Sequence, residues 1–217
     1  MASEVPVALT YNKRSHVVMM VTPDALEDFA VGFSLTEGII TQTSDIQNIS
    51  VLTREKGLEL AVTVSEDCFA HLDKQRRNLV GRTGCGLCGA ESLDQAIHNP
   101  AVVTSRVYVT SSGLQAAIRS LNDHQPLQVV TGAVHGAAWC SLEGEILDLR
   151  EDVGRHNALD KLIGHLHRTG FDPGSGFVLV SSRASYEMVY KAAAAGMEVL
   201  VAVSAPTTMA IDFAHRS

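Results

Sequence analysis

The C-terminal part of the chain repeats one pattern twice: a continuously apolar run, a polar turn and a helical stretch, first over residues 177–180 into 186–195 and then over 199–203 into 207–215. A strand apolar on successive residues has no face to give to water. Strands of this kind alternating with helices predict a parallel sheet covered on both sides. Upstream, residues 154–168 place Leu159, Leu162, Ile163 and Leu166 on one stripe of a helix, and residues 112–121 read as another. Short apolar runs at 127–130, 137–139 and 146–149 read as strands, the last two turning at Glu143-Gly144.

The first eighty residues have a different rhythm. Strands at 5–9 and 16–21 meet at Asn12-Lys13, and those at 49–53 and 58–64 meet at Lys56-Gly57. Between them Thr22-Pro23 offers an N-cap and a proline at the first helical position, with Leu26, Phe29, Ala30 and Phe33 on one stripe up to Gly38. Residues 66–80 can be helical with Asp73-Lys74-Gln75-Arg76-Arg77 on a solvated face. Ser92 and Gln95 form a capping-box pair for a short helix. The expected organisation is therefore an α+β domain over 1–80, a connecting segment over 81–100 and an α/β domain over 101–217.

That connecting segment carries Arg82-Thr83-Gly84-Cys85-Gly86-Leu87-Cys88-Gly89, two of the four cysteines set among glycines. Glycine lets a backbone fold tightly around the sulfur atoms and leaves them approachable. A zinc site would need further ligands, which Cys68 in an expected helix and Cys140 after an expected strand do not supply within one chain, although a dimer could share two pairs and act as a zinc-bridged assembly factor. A thioredoxin-like site would follow a strand directly and sit beside an aromatic residue, which this segment lacks. Sulfur carriage is the third reading: a thiolate takes sulfur from a donor persulfide and passes it on, with the second thiol closing a disulfide behind it.

With 217 residues, 46% of them hydrophobic, the chain can bury a core without disulfides. A formal charge of −7 and a pI near 5.7 argue against general affinity for nucleic acid or anionic membranes. No window approaches the roughly eighteen apolar residues of a membrane span, and Met1-Ala2-Ser3-Glu4 does not start a secretory signal. A cytoplasmic location is expected, where paired cysteines are reactive or metal-binding more often than structural.

Ligands of parallel α/β sheets bind beyond the carboxyl ends of strands. Two such places are polar here, Ser181-Ser182-Arg183-Ala184-Ser185 and Ser204-Ala205-Pro206-Thr207-Thr208. Their hydroxyls and guanidinium suit a phosphate or pyrophosphate, although the hydroxyls would equally serve as helix caps. A third cluster is Glu151-Asp152-Val153-Gly154-Arg155-His156-Asn157-Ala158-Leu159-Asp160-Lys161. Arg155 falls one turn before Leu159 and needs a partner, either Asp152 or Glu151 or a bound anion. His135, after Thr131-Gly132-Ala133-Val134, is either a hydrogen-bonded structural group or a ligand contact.

Taken in order over nearly the whole chain, Gly84-Cys85-Gly86-Leu87-Cys88-Gly89, Thr131-Gly132-Ala133-Val134-His135, the 151–161 cluster, Ser181-Ser182-Arg183-Ala184-Ser185-Tyr186-Glu187-Met188 and Val203-Ser204-Ala205-Pro206-Thr207 resemble the FdhD family of formate dehydrogenase accessory sulfurtransferases. The resemblance implies that Cys85 carries a persulfide and that Cys88 assists. It implies a cysteine desulfurase as donor and formate dehydrogenase as recipient. The substrate would be the bis-molybdopterin guanine dinucleotide form of the molybdenum cofactor, which GDP or GMP could mimic. His135, Arg155, His156, Asn157, Ser181, Ser182, Arg183, Ser204 and Thr207 would hold it. The implied fold is a cytidine deaminase-like three-layer domain with a mixed, largely parallel sheet, preceded by the smaller domain, and a homodimer is expected. No His-x-Glu and no Pro-Cys-x-x-Cys accompany it, so no deaminase zinc or other intrinsic metal is expected. Family members usually continue into a further strand and an arginine-bearing segment, whereas this sequence stops at His215-Arg216-Ser217, so part of the nucleotide site is expected to be missing.

Overall fold

A computed structural model describes residues 1–77, 101–104 and 106–217. Cys85, Cys88, the connecting segment over 81–100 and the end of the helix expected over 66–80 lie outside the described residues. Two four-stranded mixed sheets make up the frame.

The first sheet has the order β2-β1-β4-β3 and joins two hairpins through a parallel pair. Strands β1 (Val5–Tyr11) and β2 (Arg14–Val21) turn at Asn12 and Lys13, both at positive φ (45° and 68°). That geometry matches the twist of the strands it joins. Asn12 also donates through Nδ2 to Val64 O (3.1 Å) and accepts from Val64 N (2.9 Å), which extends the pairing of β1 with β4. Strands β3 (Ile46–Arg54) and β4 (Gly57–Val64) form the second hairpin, and α2 (Glu66–Arg77) follows, sending Phe69 and Leu72 to the core.

Helix α1 (Leu26–Thr36) begins three residues later than Thr22-Pro23 predicts. The reason is competition for Thr22. Its N–H donates to Asp152 Oδ2 (2.9 Å) and its hydroxyl oxygen accepts from Val153 N (3.1 Å), so Thr22 ties the two halves together instead of capping a helix. Ala25, at φ 49°, takes the cap position.

The second sheet, order β6-β5-β7-β8, comprises β5 (His135–Ser141), β6 (Ile146–Asp152), β7 (Gly176–Arg183) and β8 (Leu200–Ser204). It is not largely parallel: β5 runs antiparallel to both β6 and β7, and β7 with β8 is the one parallel pair. Helix α5 (Arg155–Thr169) does cross between strands running the same way, β6 and β7, but β5 lies between them. The expectation of burial on both faces holds. Ala137, Trp139, Val178 and Val180 enter one core, while Ala138, Cys140, Phe177 and Leu179 enter another beneath α3 (Ser111–Ser120).

The run 127–130, expected as a strand, is instead helix α4 (Pro126–Thr131). Proline at its first position and Gly132 just past its end (φ 62°) bracket a single helical piece. Both carboxylate oxygens of Glu151 accept from its free amides, Leu127 N at 2.9 Å and Gln128 N at 2.8 Å. Val129 and Val130 are exposed, so their β-branched side chains find no sheet to join. Helices α6 (Tyr186–Ala194) and α7 (Thr208–Arg216) close the chain near their predicted bounds.

The two halves share one core, with α1 packed against α5. Glycines set the closeness of that crossing. A Cβ on Gly32 would stand 1.7 Å from Asp160 O, and one on Gly164 would stand 1.8 Å from Asp28 O. Helix α1 is consequently buried over every residue from Asp28 to Thr36.

Candidate functional site

The turn from β6 into α5 is built around Asp152, which is fully buried. Its Oδ1 accepts from Gly154 N and Asn157 Nδ2 (2.8 Å each), and its Oδ2 accepts from Thr22 N and lies 2.7 Å from the Lys161 ammonium. Lys161, equally buried, also donates to Thr22 O (2.9 Å). A buried carboxylate with four donors is fully satisfied and has nothing left for a ligand. Asn157, expected to touch cofactor, spends its amide on Asp152 and on Met20 O (2.8 Å). It is a tether between the halves.

Rigidly held in this way, the first turn of α5 presents Arg155 and His156 and no acidic residue. Positive side chains at a helix N-terminus oppose the helix dipole, so something negative should neutralise them. Neither Asp152 nor Glu151 does so for Arg155. The nearest carboxylate belongs to Glu187 in the first turn of α6, with Oε2 2.7 Å from His156 Nε2 and 3.9 Å from Arg155 NH2. The second distance is too long for a hydrogen bond, and the first, though short, is poorly aligned for one. Among the described residues the buried Arg155 Nε meets no acceptor, and the buried Ser185 Oγ at the N-cap of α6 meets no partner.

His135 opens β5 opposite Asp152 in the ladder. Burial lowers its pKa, and the positive charges of Arg155 and His156 lower it further against the pull of Asp152. The three basic groups therefore act on one another. His135 and Ser181 line a cavity of about 530 Å³ together with Gln125, Gln128, Leu121 and Val203. Ser181 Oγ accepts from Gly136 N (2.9 Å), which leaves its proton free to donate. Gln125 is 3% exposed and its Nε2 has no partner.

The remaining predicted residues divide. Ser181, Ser182 and Arg183 belong to β7 itself rather than to a loop after it. Ser182 is buried and donates to Arg183 O (3.1 Å), so its hydroxyl is spent. Arg183 and Ser204 are exposed partners in the β7–β8 register at the strand ends. Thr207 caps α7 by accepting from Ala210 N (3.2 Å), which realises the capping alternative. Sequence reasoning did not single out Glu187 or Gln125 as site residues. An acid in a first helical turn reads as a dipole partner of its own helix, and Gln125 sits beside the run misread as a strand.

Of the described cysteines, Cys68 is half-buried in α2 and Cys140 is buried, its thiol pushed up to about 12 by burial. Cys140 is therefore no nucleophile at neutral pH. Among the described residues no group of three His, Cys, Asp or Glu could hold a metal ion, and no helix is long and apolar enough to cross a membrane.

The sequence matches the FdhD/NarQ family over residues 2–217. The chain belongs to the FdhD/NarQ family. Among its FdhD relatives, sulfur carrier protein FdhD of Cupriavidus necator is 54% identical over 216 residues, spanning 100% of this chain and 75% of that protein. Its namesake in Bordetella petrii is 49% identical over 216 residues, spanning 100% and 78%. The fold is shared with a solved structure from Desulfotalea psychrophila described as a formate dehydrogenase accessory protein, at a TM-score of 0.73 and 24% identity over 99% of this chain and 79% of that one.

Proposed function

We propose that this FdhD-family chain is a sulfur carrier that serves the maturation of formate dehydrogenase. The observation that carries the reading is its 54% identity, over the whole of its length, to a protein named as a sulfur carrier. Cys85 would be the carrier. Its thiolate attacks the terminal sulfur of a cysteine desulfurase persulfide, a new S–S bond forms on Cys85, and the desulfurase leaves as its thiolate. In delivery, Cys88 attacks the Cys85 sulfur, closes a disulfide and expels sulfide to the acceptor. A dithiol reductant then resets the pair.

The acceptor would be the bis-molybdopterin guanine dinucleotide form of the molybdenum cofactor, bound as substrate. Supporting this is the chemistry of the described side. Arg155 is a cation whose nearest carboxylate stands 3.9 Å away, as a pyrophosphate site requires, and the imidazoles of His156 and His135, the latter kept neutral by burial and neighbouring positive charge, add N–H donors. The adjoining cavity offers amides and apolar walls, a lining suited to a planar heterocycle with polar edges, and Arg183 and Ser204 are exposed at neighbouring strand ends. A homodimer, a cytoplasmic location and a cytidine deaminase-like class for the second sheet with its flanking helices complete the proposal.

Incubation with a cysteine desulfurase and free cysteine, followed by intact-mass measurement, tests it. The wild-type chain should gain a sulfur atom and Cys85→Ala should not. Failure of the wild type to gain sulfur, or equal gain by the variant, overturns the reading.

A further inference from the structure

We propose that Glu187 is an internal counter-anion, holding in the free chain the place that a ligand phosphate takes, so that anion binding requires its carboxylate to leave His156 and Arg155. The proposal rests on the dinucleotide-acceptor reading above and assigns the residue that sets which anions the site accepts.

The carboxylate bridges the first turns of two helices, reaching from α6 to Arg155 and His156 on α5. It does not complete the set. At 3.9 Å it attracts the Arg155 guanidinium without hydrogen-bonding it, and among the described residues both Arg155 Nε and Ser185 Oγ stay buried and unpaired. One oxygen, Oε2, faces both groups, and at 2.7 Å from His156 it stands too far from Arg155 to bond it. A tetrahedral phosphate carries its oxygens in more directions and can serve the guanidinium and the imidazole with different ones. Burial pushes the Glu187 pKa up, but the contact with His156 and the charges of Arg155 and Lys191 outweigh it and hold the group ionised. An incoming anion must therefore displace a charge rather than fill a vacancy. A singly charged ligand gains little by that exchange, whereas a group with two or more charges gains. Glu187 thereby selects phosphate and pyrophosphate over carboxylates.

The test uses the full chain and inorganic pyrophosphate, with affinity read by calorimetry at fixed pH and ionic strength. Glu187→Gln keeps the size of the side chain and removes the competitor, so pyrophosphate should bind about tenfold tighter, the scale of one close charge pair at a binding surface. Adding Arg155→Ala to that variant should abolish the gain. Glu187→Asp, which draws the carboxylate back by one methylene, should tighten binding by a smaller factor and supplies the measurement if the glutamine variant does not fold. A folded Glu187→Gln protein that binds pyrophosphate no more tightly than wild type overturns the proposal and leaves Glu187 as a structural clamp. Sulfur loading of the wild-type chain, measured in parallel, separates the two levels. A chain that loads sulfur but shows no tightening refutes only the role of Glu187, and a chain that never loads refutes the carrier reading.

Discussion

Replacing Lys191 with methionine should be among the most damaging single changes in this chain that leaves its volume nearly intact. The ammonium lies 3.0 Å from each Asp160 oxygen, 3.1 Å from Glu37 Oε1 and 2.9 Å from Thr36 Oγ1, with 8% of its side chain exposed. Methionine keeps the apolar stem but removes every donor, together with the ammonium that stands 5.5 Å over the Phe33 ring. Asp160, only 1% exposed, is then left with the Thr36 hydroxyl at 2.8 Å. Glu37 is partly exposed and can hydrate, so the cost concentrates on Asp160. Breaking one side of a buried pair costs about 3–5 kcal/mol. In a chain of this size each kcal/mol lowers the unfolding midpoint by roughly 2–4 °C, so the drop should be roughly 6–20 °C. Burial alone would lower the Lys191 pKa, but Asp160 and Glu37 more than offset it and raise it. From neutral pH upward, Lys191's contribution is therefore fully present below the ordinary lysine value of 10.5 and is lost only as pH rises through the folded value. Urea unfolding followed by circular dichroism should show the same deficit at pH 7 and pH 9. The double variant Lys191→Met/Asp160→Leu should recover most of the loss, because removing both charges leaves nothing stranded. A single variant within 1 kcal/mol of wild type at unchanged denaturant slope, or a double variant less stable than the single, would refute the reasoning.

Three further outcomes follow from the same contacts. Gly164→Ala should destabilise by about 1–3 kcal/mol or more in urea unfolding, because its Cβ would meet a backbone oxygen 1.8 Å away and α1 must move off α5. Alkylation of the native protein at pH 8 with peptide mapping should spare Cys140, whose thiol is buried and held near 12, and label it once urea unfolds the chain. Glu187 titrates below its ordinary 4.5 in the folded state, so it contributes stability above that value that is lost as pH falls through the folded one. Between pH 5 and pH 3, then, Glu187→Gln should lose stability less steeply than wild type in parallel thermal melts.

What could be read from the sequence tracks how local each cause is. Strand and helix periodicity is a property of neighbouring residues; the turn at Asn12-Lys13 was legible in full, and the one expected at Lys56-Gly57 lies one residue earlier, at Glu55-Lys56, because Gly57 already pairs with Arg54 as the first residue of β4. Thr22-Pro23 was misread because Thr22 is claimed by Val153 and Asp152, about 130 positions away. The run 127–130 was misread because a carboxylate from β6 caps it as a helix. Sheet direction failed similarly, since two apolar strands flanking a helix do not disclose that a third lies between them. In the 151–161 cluster the residue types suggest an anion site, yet Asn157, Asp152, Asp160 and Lys161 are taken up by contacts within the chain. Their partners, among them Met20, Thr22, Thr36 and Lys191, lie on other elements.

That division explains why the site stands where it does. Helix α5 is fixed by three independent devices: the Asp152–Lys161 pair at its start, the Asp160–Lys191 pair along its side, and the Gly32–Gly164 crossing beyond. Two of these are buried ion pairs, which stabilise little relative to well-packed apolar residues but tolerate few alternative geometries. Both also bear on the elements that meet at the site: the first sets the turn that aims Arg155 and His156, and the second locks α6, which carries Glu187 one turn upstream of Lys191. The distances among Arg155, His156 and Glu187 are thus set by the buried interior rather than by a surface loop. It follows that Asp152→Asn, which keeps the shape and one accepting oxygen for Gly154 N and Asn157 Nδ2 but sets an amide nitrogen, which cannot accept, against Thr22 N–H and Lys161, should reduce pyrophosphate affinity under conditions where circular dichroism still reports a folded chain. Unchanged affinity in a measurably destabilised Asp152→Asn protein would show that the anion site is aimed by its own loop after all.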